Sequence, residues 1–228
     1  MEKNAGILIA GGGGFIGGWL VRKLLDDGYT NIRSVDIKQP DQWYQHFTQV
    51  DNRVLDLRHY EACNEATEDM DYIFDLACDM GGMGFIETHK ADCMLSVLIN
   101  TNLLQVAREH GQIKRYLYTS SACVYNADKQ TDPNVTALKE EDAYPAMPED
   151  GYGWEKLFSE RMCRHFREDY GIETRIVRLH NVYGPEGTWD GGREKAPAAI
   201  SRKVIQAKNS KDLEIEIWGD GKQTRSFM

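Results

Sequence analysis

The chain has 228 residues, of which 41% are hydrophobic and 28% charged, so its composition is that of a globular protein rather than a disordered one. The net charge is −9 and no basic stripe is visible, which argues against nucleic acid as a partner. Because no apolar run has the length of a membrane span and no signal peptide is recognisable, we expect a cytoplasmic protein that does not associate with membranes.

The cysteines do not form a recognisable framework. Their number is odd and no Cys-x-x-Cys pair occurs, so the sequence predicts neither a disulfide scaffold nor a metal site. Reduced thiols in the cytosol are the simplest interpretation of Cys63, Cys78, Cys93, Cys123 and Cys163.

A glycine-rich turn lies between the first predicted strand and the first predicted helix. Residues 7–10 form an apolar run typical of a strand, and the segment from Ile16 to Gly28 has the apolar spacing of a helix. Glycines here allow the backbone to approach a pyrophosphate at the helix N-terminus, although a flexible turn without a ligand has the same composition. We predict a dinucleotide site formed by Gly11, Gly14, Phe15, Ile16 and Gly17.

Asp36 closes the second predicted strand, residues 32–37, and lies 19 residues after Gly17. A carboxylate at this place accepts hydrogen bonds from the adenosine ribose and repels a 2′-phosphate. We therefore predict NAD rather than NADP as the cofactor. Lys38 is a contrary sign, and a simple turn carboxylate is the alternative interpretation of Asp36.

Asp56 lies near the end of the third predicted strand, residues 54–57. Two interpretations of its carboxylate are open at this point. It either accepts a hydrogen bond from the adenine amino group, or caps the helix predicted to begin near Tyr60.

The fourth predicted strand, residues 72–77, is almost continuously apolar, which is typical of a parallel sheet covered on both faces. It leads into residues 78–86, where three glycines within four positions favour a loop over a helix. Ligands of open α/β sheets bind at the carboxyl ends of strands. We interpret this segment as a wall over cofactor and substrate; a mobile surface loop is the alternative.

The remaining pattern completes an alternation of strands and helices. It predicts an α/β fold with a doubly wound parallel (Rossmann) sheet, in which residues 1–180 bind the dinucleotide and residues 181–228 begin a smaller substrate lobe. We expect apolar side chains such as Leu95, Leu98, Trp154 and Phe158 to lie in the core. The predicted helices are 92–110, 152–170 and 198–207, and the predicted strands are 115–120, 174–179 and 213–218.

Tyr152 and Lys156 are spaced i, i+4 and therefore share one face of a helix. An ammonium near a phenol lowers the pKa of the phenol, so Tyr152 is a candidate general base near neutral pH. Ser121, at the end of the fifth predicted strand, is the hydroxyl that would orient it. Cys123, two residues later, is a further candidate for proton transfer.

These motifs together resemble the extended short-chain dehydrogenase/reductase family, whose members act on nucleotide sugars. The resemblance spans the whole chain and is carried by Gly11-x-x-Gly14-Phe15-Ile16-Gly17, Asp56-Leu57, Ser120-Ser121, Tyr152-x-x-x-Lys156 and Asn181-Val182-Tyr183-Gly184-Pro185. Within the family, residues 78–86, Cys123 and residues 194–197 resemble the branch that inverts C3 and C5 of GDP-mannose.

The resemblance implies a reaction in stages. Tyr152 and NAD would oxidise the C4 hydroxyl of the sugar to a ketone, which acidifies the hydrogens at C3 and C5. Cys123 and Lys195 would then serve as acid and base on opposite faces of the ring. Inverting a carbon requires one group on each face, so residue types and reaction agree. The alternative interpretations are that Cys123 is a small buried apolar residue and that Lys195 is an ordinary surface lysine.

The resemblance also implies substrate contacts and an assembly. Family members continue well past Phe227, so we expect the substrate lobe to be incomplete, and homodimers are common among them. The substrate positions carried over are Gly81, Ser121, Cys123, Asn181, Glu194, Lys195, Ala196 and Lys203.

Two other functions are compatible with parts of the pattern. One is a different nucleotide-sugar 4-epimerase or dehydratase. A dehydratase usually has an Asp-Glu pair where Ala122-Cys123 stands, and a 4-epimerase does not require Cys123 or Lys195. The other is a truncated, non-catalytic NAD-binding protein.

Overall fold

A computed structural model describes residues 1–131, 137–217, 219–221 and 224–228. In this part of the chain the strands form one parallel sheet in the order β3-β2-β1-β4-β5-β6. The chain therefore winds outward in both directions from β1 and β4, which confirms the predicted doubly wound fold. The strands are β1 (Ile7–Ala10), β2 (Ile32–Asp36), β3 (Asp51–Val54), β4 (Tyr72–Asp75), β5 (Arg115–Ser121) and β6 (Thr174–Leu179).

Helices connect the strands, and the central strands are buried on both faces. Ile7 and Ile9 of β1 pack in one apolar cluster with Val21, whereas Leu8 packs in another cluster with Leu103. Alternate side chains of a strand point to opposite faces, so β1 has a core on each side. The helices are α1 (Phe15–Asp26), α2 (Tyr60–Thr67), α3 (Met83–Thr88), α4 (Lys90–Leu95), α5 (Val97–His110), α6 (Tyr152–Tyr170) and α7 (Ala196–Ser210).

The third strand lies earlier than predicted. β3 pairs with β2 in the register Arg33↔Asp51 to Asp36↔Val54, so it consists largely of polar residues at the edge of the sheet. Apolar periodicity is a weak signal for such a strand because much of it faces water. Asp56 consequently follows β3 rather than ending it.

The helices after β4 also differ from the prediction. The glycine-rich segment does form an irregular connection, but α3 begins within it at Met83, directly after Gly82. The helix predicted over 92–110 is interrupted at Ser96, whose Oγ accepts a hydrogen bond of 2.9 Å from the backbone N–H of Asp79. The interruption thus anchors the loop that follows β4.

Four predicted core residues are on the surface. The exposed fractions are 44% for Leu95, 40% for Leu98, 43% for Trp154 and 51% for Phe158. The prediction was wrong because apolar spacing identifies a helix face without saying what covers it.

The final segment departs most from the prediction. α7 is longer than expected and has no buried residue in the described structure. Residues 213–217 form no strand, and Leu213 is almost fully exposed; Trp218 lies outside the described residues. Alternation predicts a strand only where a neighbouring strand supplies hydrogen bonds. Across the described ranges, no helix combines the length and the apolar character needed to cross a membrane.

Candidate active site

The turn between β1 and α1 has the geometry that a dinucleotide requires. Gly11 has a positive φ of 82°, and a Cβ added to Gly17 would lie 2.1 Å from the carbonyl oxygen of Gly11. Only glycine at position 17 therefore lets α1 start so close to the turn. Gly14 caps α1 without a side-chain hydrogen bond, and the first turn has no acidic residue. The positive end of the helix dipole is thus compatible with a pyrophosphate.

Asp36 lies at the end of β2, buried, with Oδ1 accepting a hydrogen bond of 3.1 Å from the N–H of Lys38. The Lys38 ammonium donates to the carbonyl of Gly13 at 3.0 Å. The Lys38 ammonium is therefore bound to the glycine turn, so Lys38 is weaker evidence for NADP. The Trp43 ring covers the same turn, since a Cβ added to Gly13 would meet it at 2.6 Å. The sequence contained no signal for this contact.

Asp56 does not cap α2. The N-cap is His59, which makes no side-chain capping hydrogen bond, whereas Asp56 binds the Arg58 guanidinium at 2.6 Å. The hydrogen bond from Arg58 lowers the pKa of Asp56. The capping interpretation is therefore wrong, and the adenine contact stays a prediction.

Tyr152 and Lys156 are both buried on α6, as the i, i+4 spacing predicts. The Lys156 ammonium lies 5.6 Å from the centre of the Tyr152 ring. Burial raises the pKa of Tyr152 well above its usual value, and the nearby Cys78 thiol raises it further, while Lys156 lowers it. The predicted influence of Lys156 is present, but burial outweighs it, so the phenol is protonated near neutral pH.

Lys156 remains charged because of buried acidic neighbours. Burial lowers its pKa, but Cys78, Glu155, Tyr118 and Tyr152 together raise it by more, so the net shift is upward. Glu155 Oε2 lies 3.6 Å from the ammonium and has no hydrogen-bond partner in the described structure. Its Oε1 accepts hydrogen bonds of 3.0 Å from Tyr118 and Ser159. The sequence alone gives no reason to expect Glu155 in the interior, because glutamates are rarely buried.

Cys123 lies just beyond β5, between Ser121 and Glu149. Ser121 Oγ accepts a hydrogen bond of 3.2 Å from the N–H of Cys123, so this hydroxyl holds the cysteine turn. The N–H of Glu149 donates to the carbonyl of Cys123 at 2.9 Å, which places Glu149 next to the cysteine. Burial, reinforced by Glu149, raises the pKa of Cys123 to about 12. The thiol is therefore protonated.

Lys195 lies near the same part of the structure, although it is far from Cys123 in the sequence. Its ammonium donates a hydrogen bond of 3.2 Å to the carbonyl of Gly81. Burial lowers its pKa, while the nearby Cys123 and Glu149 partly oppose this effect. Gly81, which Lys195 binds, lies against Phe85, and Cys123 packs against the apolar cluster that contains Phe85. The two predicted residues therefore lie beside the same loop.

Apolar side chains connect Cys123 to Tyr152. Phe85, Ile86 and Cys93 form a buried cluster with Tyr152, and Cys78, Met80 and Cys123 pack against it. The loop after β4 therefore lies beside Tyr152 and Cys123, and its predicted role as a wall over cofactor and substrate stays a prediction.

The other predicted substrate residues divide into two groups. Glu194 and Ala196 flank Lys195, and Arg202 binds the Glu194 carboxylate at 2.8 Å. In contrast, the Asn181 amide donates to the carbonyl of Ser226 at 3.1 Å, and Lys203 donates to the carbonyl of Glu216 at 2.7 Å. Both side chains are therefore bound to backbone carbonyls of the segment that follows α7.

Comparison with known sequences agrees with this site. The chain matches the model of the NAD dependent epimerase/dehydratase family over residues 7–228. It is 47% identical over 227 residues to the GDP-mannose 3,5-epimerase of Arabidopsis thaliana, covering 99% of this chain and 59% of that protein. It is 48% identical to GDP-mannose 3,5-epimerase 1 of Oryza sativa subsp. indica, covering 97% of this chain and 57% of the relative. The chain thus spans less than two thirds of these relatives.

Two solved structures with the same fold are sugar-nucleotide 4-epimerases. The UDP-glucose 4-epimerase of Thermotoga maritima has a TM-score of 0.80 at 22% identity, covering 97% of this chain and 68% of that chain. The UDP-N-acetylglucosamine 4-epimerase of Methanobrevibacter ruminantium M1 also has a TM-score of 0.80, at 24% identity, covering 100% and 69%. The sequence match, the strand order and the Tyr152–Lys156 helix agree, and the chain belongs to the NAD-dependent epimerase/dehydratase family.

Proposed function

We propose that the protein epimerises GDP-mannose at C3 and C5 to GDP-L-galactose through a transient 4-keto sugar, with bound NAD. The observation that carries this proposal is the shared space of Cys123 and Lys195 beside Tyr152. The plant relatives named GDP-mannose 3,5-epimerase support the choice of substrate. A simple 4-epimerase has no use for a second acid and base.

The residues that would hold NAD fit that role. Gly11, Gly14 and Gly17 leave the start of α1 open to the pyrophosphate, together with the backbone of Phe15 and Ile16. Asp36 would bind the adenosine ribose, Asp56 the adenine, and Lys156 the nicotinamide ribose. When bound, NAD would accept a hydride from C4 and later return it.

Tyr152 would accept the proton of the C4 hydroxyl and later return it. The phenol is protonated near neutral pH, so it must lose its proton before it can act as the base. Lys156 is the group on this chain that favours the phenolate. During reduction of the ketone the same oxygen would return the proton, so Tyr152 ends the cycle as it began.

The pKa shifts suggest a direction for the inversion. Lys195, whose pKa is lowered, would take a proton from C3 or C5 as a neutral amine and become an ammonium. Cys123, whose pKa is raised, would donate the thiol proton to the opposite face and become a thiolate. One C–H bond breaks and one forms at the same carbon, so the sugar keeps its composition. Ser121 holds the Cys123 turn during this exchange.

We further propose that the substrate contacts the residues around this pair. Lys195 binds the carbonyl of Gly81 and is flanked in the chain by Glu194 and Ala196, which supports a role for these three residues in binding the sugar. Asn181 and Lys203 would act on the nucleotide portion, and both would first have to release their present backbone partners.

Solvent hydrogen exchange tests the function directly. The protein is incubated with GDP-mannose and NAD in deuterated water, and the nucleotide sugar is analysed by mass spectrometry and proton NMR. We expect deuterium at C3 and C5 together with a product of altered configuration. Inversion at C4 without deuterium incorporation would instead indicate a 4-epimerase, and no change would indicate a non-catalytic NAD-binding protein.

We also propose a homodimer packed through α4, α5 and α6. Leu95, Leu98, Trp154 and Phe158 are exposed on these helices, and α6 contacts both α4 and α5. A second copy would cover this apolar surface. Sedimentation should give a dimer for the wild type and a monomer for Phe158→Glu; a wild-type monomer at high concentration would contradict the proposal. The free thiols agree with a reducing, cytoplasmic environment.

A further inference from the structure

The Arg193 side chain connects the segment that carries Lys195 to the loop after β4. Its Nη1 donates a hydrogen bond of 2.7 Å to the Asp79 carboxylate and another of 3.1 Å to the carbonyl of Met80. The guanidinium carbon also lies 3.7 Å from the centre of the Phe85 ring. Arg193 therefore makes polar contacts and an aromatic contact with the same wall of the site.

The wall that receives Arg193 is itself anchored. Phe85 is buried and stacks on His89 with ring centres 4.3 Å apart. The backbone of Asp79 is held by Ser96, at the junction of α4 and α5. Arg193 thus binds a surface that is fixed to two helices rather than a free loop.

The backbone beyond Arg193 packs closely on the same wall. A Cβ added to Gly82 would lie 2.7 Å from the carbonyl oxygen of Glu194, so this approach requires glycine. Lys195 follows, and its ammonium reaches the carbonyl of Gly81. Only Glu194 separates Arg193 from Lys195 in the chain, so the position of the Arg193 guanidinium limits where the amine can lie.

We propose that Arg193 is a positioning residue for Lys195, holding the segment of residues 193–195 against the loop of residues 79–85 so that the amine faces Cys123 across the sugar site. This inference rests on the proposed inversion. Arg193 acts through Lys195, so its loss should slow proton abstraction at C3 and C5 and leave oxidation at C4 intact.

A role in folding does not explain the contacts as well. The Arg193 and Asp79 side chains are 46% and 44% exposed, and ion pairs of that exposure contribute little to stability. A catalytic amine, however, loses much of its effect when displaced by about 1 Å. These contacts therefore position Lys195 rather than stabilise the fold.

The variants Arg193→Met and Arg193→Lys test this inference, with Arg175→Met as a matched control. Met removes the charge and the planar stacking group, whereas Lys keeps the charge for Asp79. Arg175, near the start of β6, forms an ion pair of similar exposure with Glu173, the residue before that strand. Thermal unfolding of all three variants confirms that each one is folded.

Two readouts separate positioning from a structural role. With GDP-mannose and NAD in deuterated water, Arg193→Met should incorporate deuterium about 10- to 100-fold more slowly, with C4 oxidation, followed as reduced nicotinamide absorbance, nearly unchanged. Arg193→Lys should recover part of the rate, and Arg175→Met should match the wild type. Equal deuterium incorporation by Arg193→Met and wild type would overturn the inference.

The second readout needs no substrate. The pH dependence of Lys195 acylation, measured by peptide mapping of the full chain, reports the pKa of the amine. In Arg193→Met the amine should move toward water, and its pKa should rise toward the ordinary value for lysine. An unchanged acylation profile would also overturn the inference. If wild type shows no exchange with GDP-mannose, the proposed function fails, while acylation still tests the link between Arg193 and Lys195.

Discussion

The cofactor side and the inversion side of this site are built in opposite ways. The dinucleotide turn lies within residues 11–17 of one strand–turn–helix unit, and its geometry is set by local backbone contacts. The inversion side combines residues 79–85, Cys123, Glu149 and residues 193–195, which are far apart in the chain. A local site can be recognised as a motif, whereas an assembled site depends on how distant segments pack. Substitutions should therefore separate the two sides.

The largest effect is expected for Cys123→Ala. Removing the proton donor should reduce inversion at C3 and C5 by about 10²- to 10⁴-fold. C4 oxidation should persist, because Tyr152 and Lys156 on α6 would carry out that step without the Cys123 thiol. Reduced nicotinamide absorbance and proton NMR of the sugar measure the two steps separately. Full epimerisation by this variant would show that the thiol is dispensable.

Asp36→Ala should affect only the cofactor side. Losing the ribose acceptor, which also repels a 2′-phosphate, should weaken NAD binding by about 10-fold or more and reduce the preference for NAD over NADP. Titration calorimetry with both cofactors measures this change. Lys38→Ala is a suitable comparison, since Lys38 is held by the carbonyl of Gly13. Unchanged affinities in Asp36→Ala would exclude this role for the carboxylate.

Glu149→Gln sharpens the description of the inversion side. The Glu149 carboxylate raises the pKa of Cys123, so its replacement should lower that pKa from about 12, although burial still holds it above the usual value. A decrease of about one unit would give about tenfold more thiolate at pH 9 to 10. Iodoacetamide labelling of Cys123 against pH measures it, with Asp150→Asn as control because Asp150 pairs with Lys90 instead. Identical labelling profiles would contradict the assignment.

Asp75→Asn should alter the free energy of unfolding rather than the function of the cofactor side or the inversion side. Burial raises the pKa of Asp75 from 3.8 to about 6, so between these values the folded state binds a proton that the unfolded state lacks. The contribution of Asp75 to stability is therefore greatest at acid pH and is lost as pH rises through about 6. The stability of Asp75→Asn relative to wild type should increase from pH 4 to 7, by about 1–3 kcal/mol. Urea unfolding across this range measures the trend, and parallel curves would refute it.

Much of the fold could be predicted because it depends on short-range pattern. The bounds of α6 and β6 agree with their predicted ranges, since apolar spacing and the terminal Gly171 mark them locally. β3 was misplaced because a polar edge strand is defined by its pairing with β2 rather than by its own pattern. The same limit explains residues 213–217, which alternate without forming a strand.

The sequence by itself determined the glycine turn, the α/β class of the fold and the i, i+4 relation of Tyr152 to Lys156. Each of these follows from neighbouring residues and from the geometry of single helices and strands. Only the tertiary structure decided that burial outweighs Lys156 at Tyr152, that Glu149 binds the Cys123 carbonyl, and that Arg193 connects the segment of Lys195 to the loop after β4. Dehydration of a side chain and contacts between distant segments depend on packing, which no local pattern encodes.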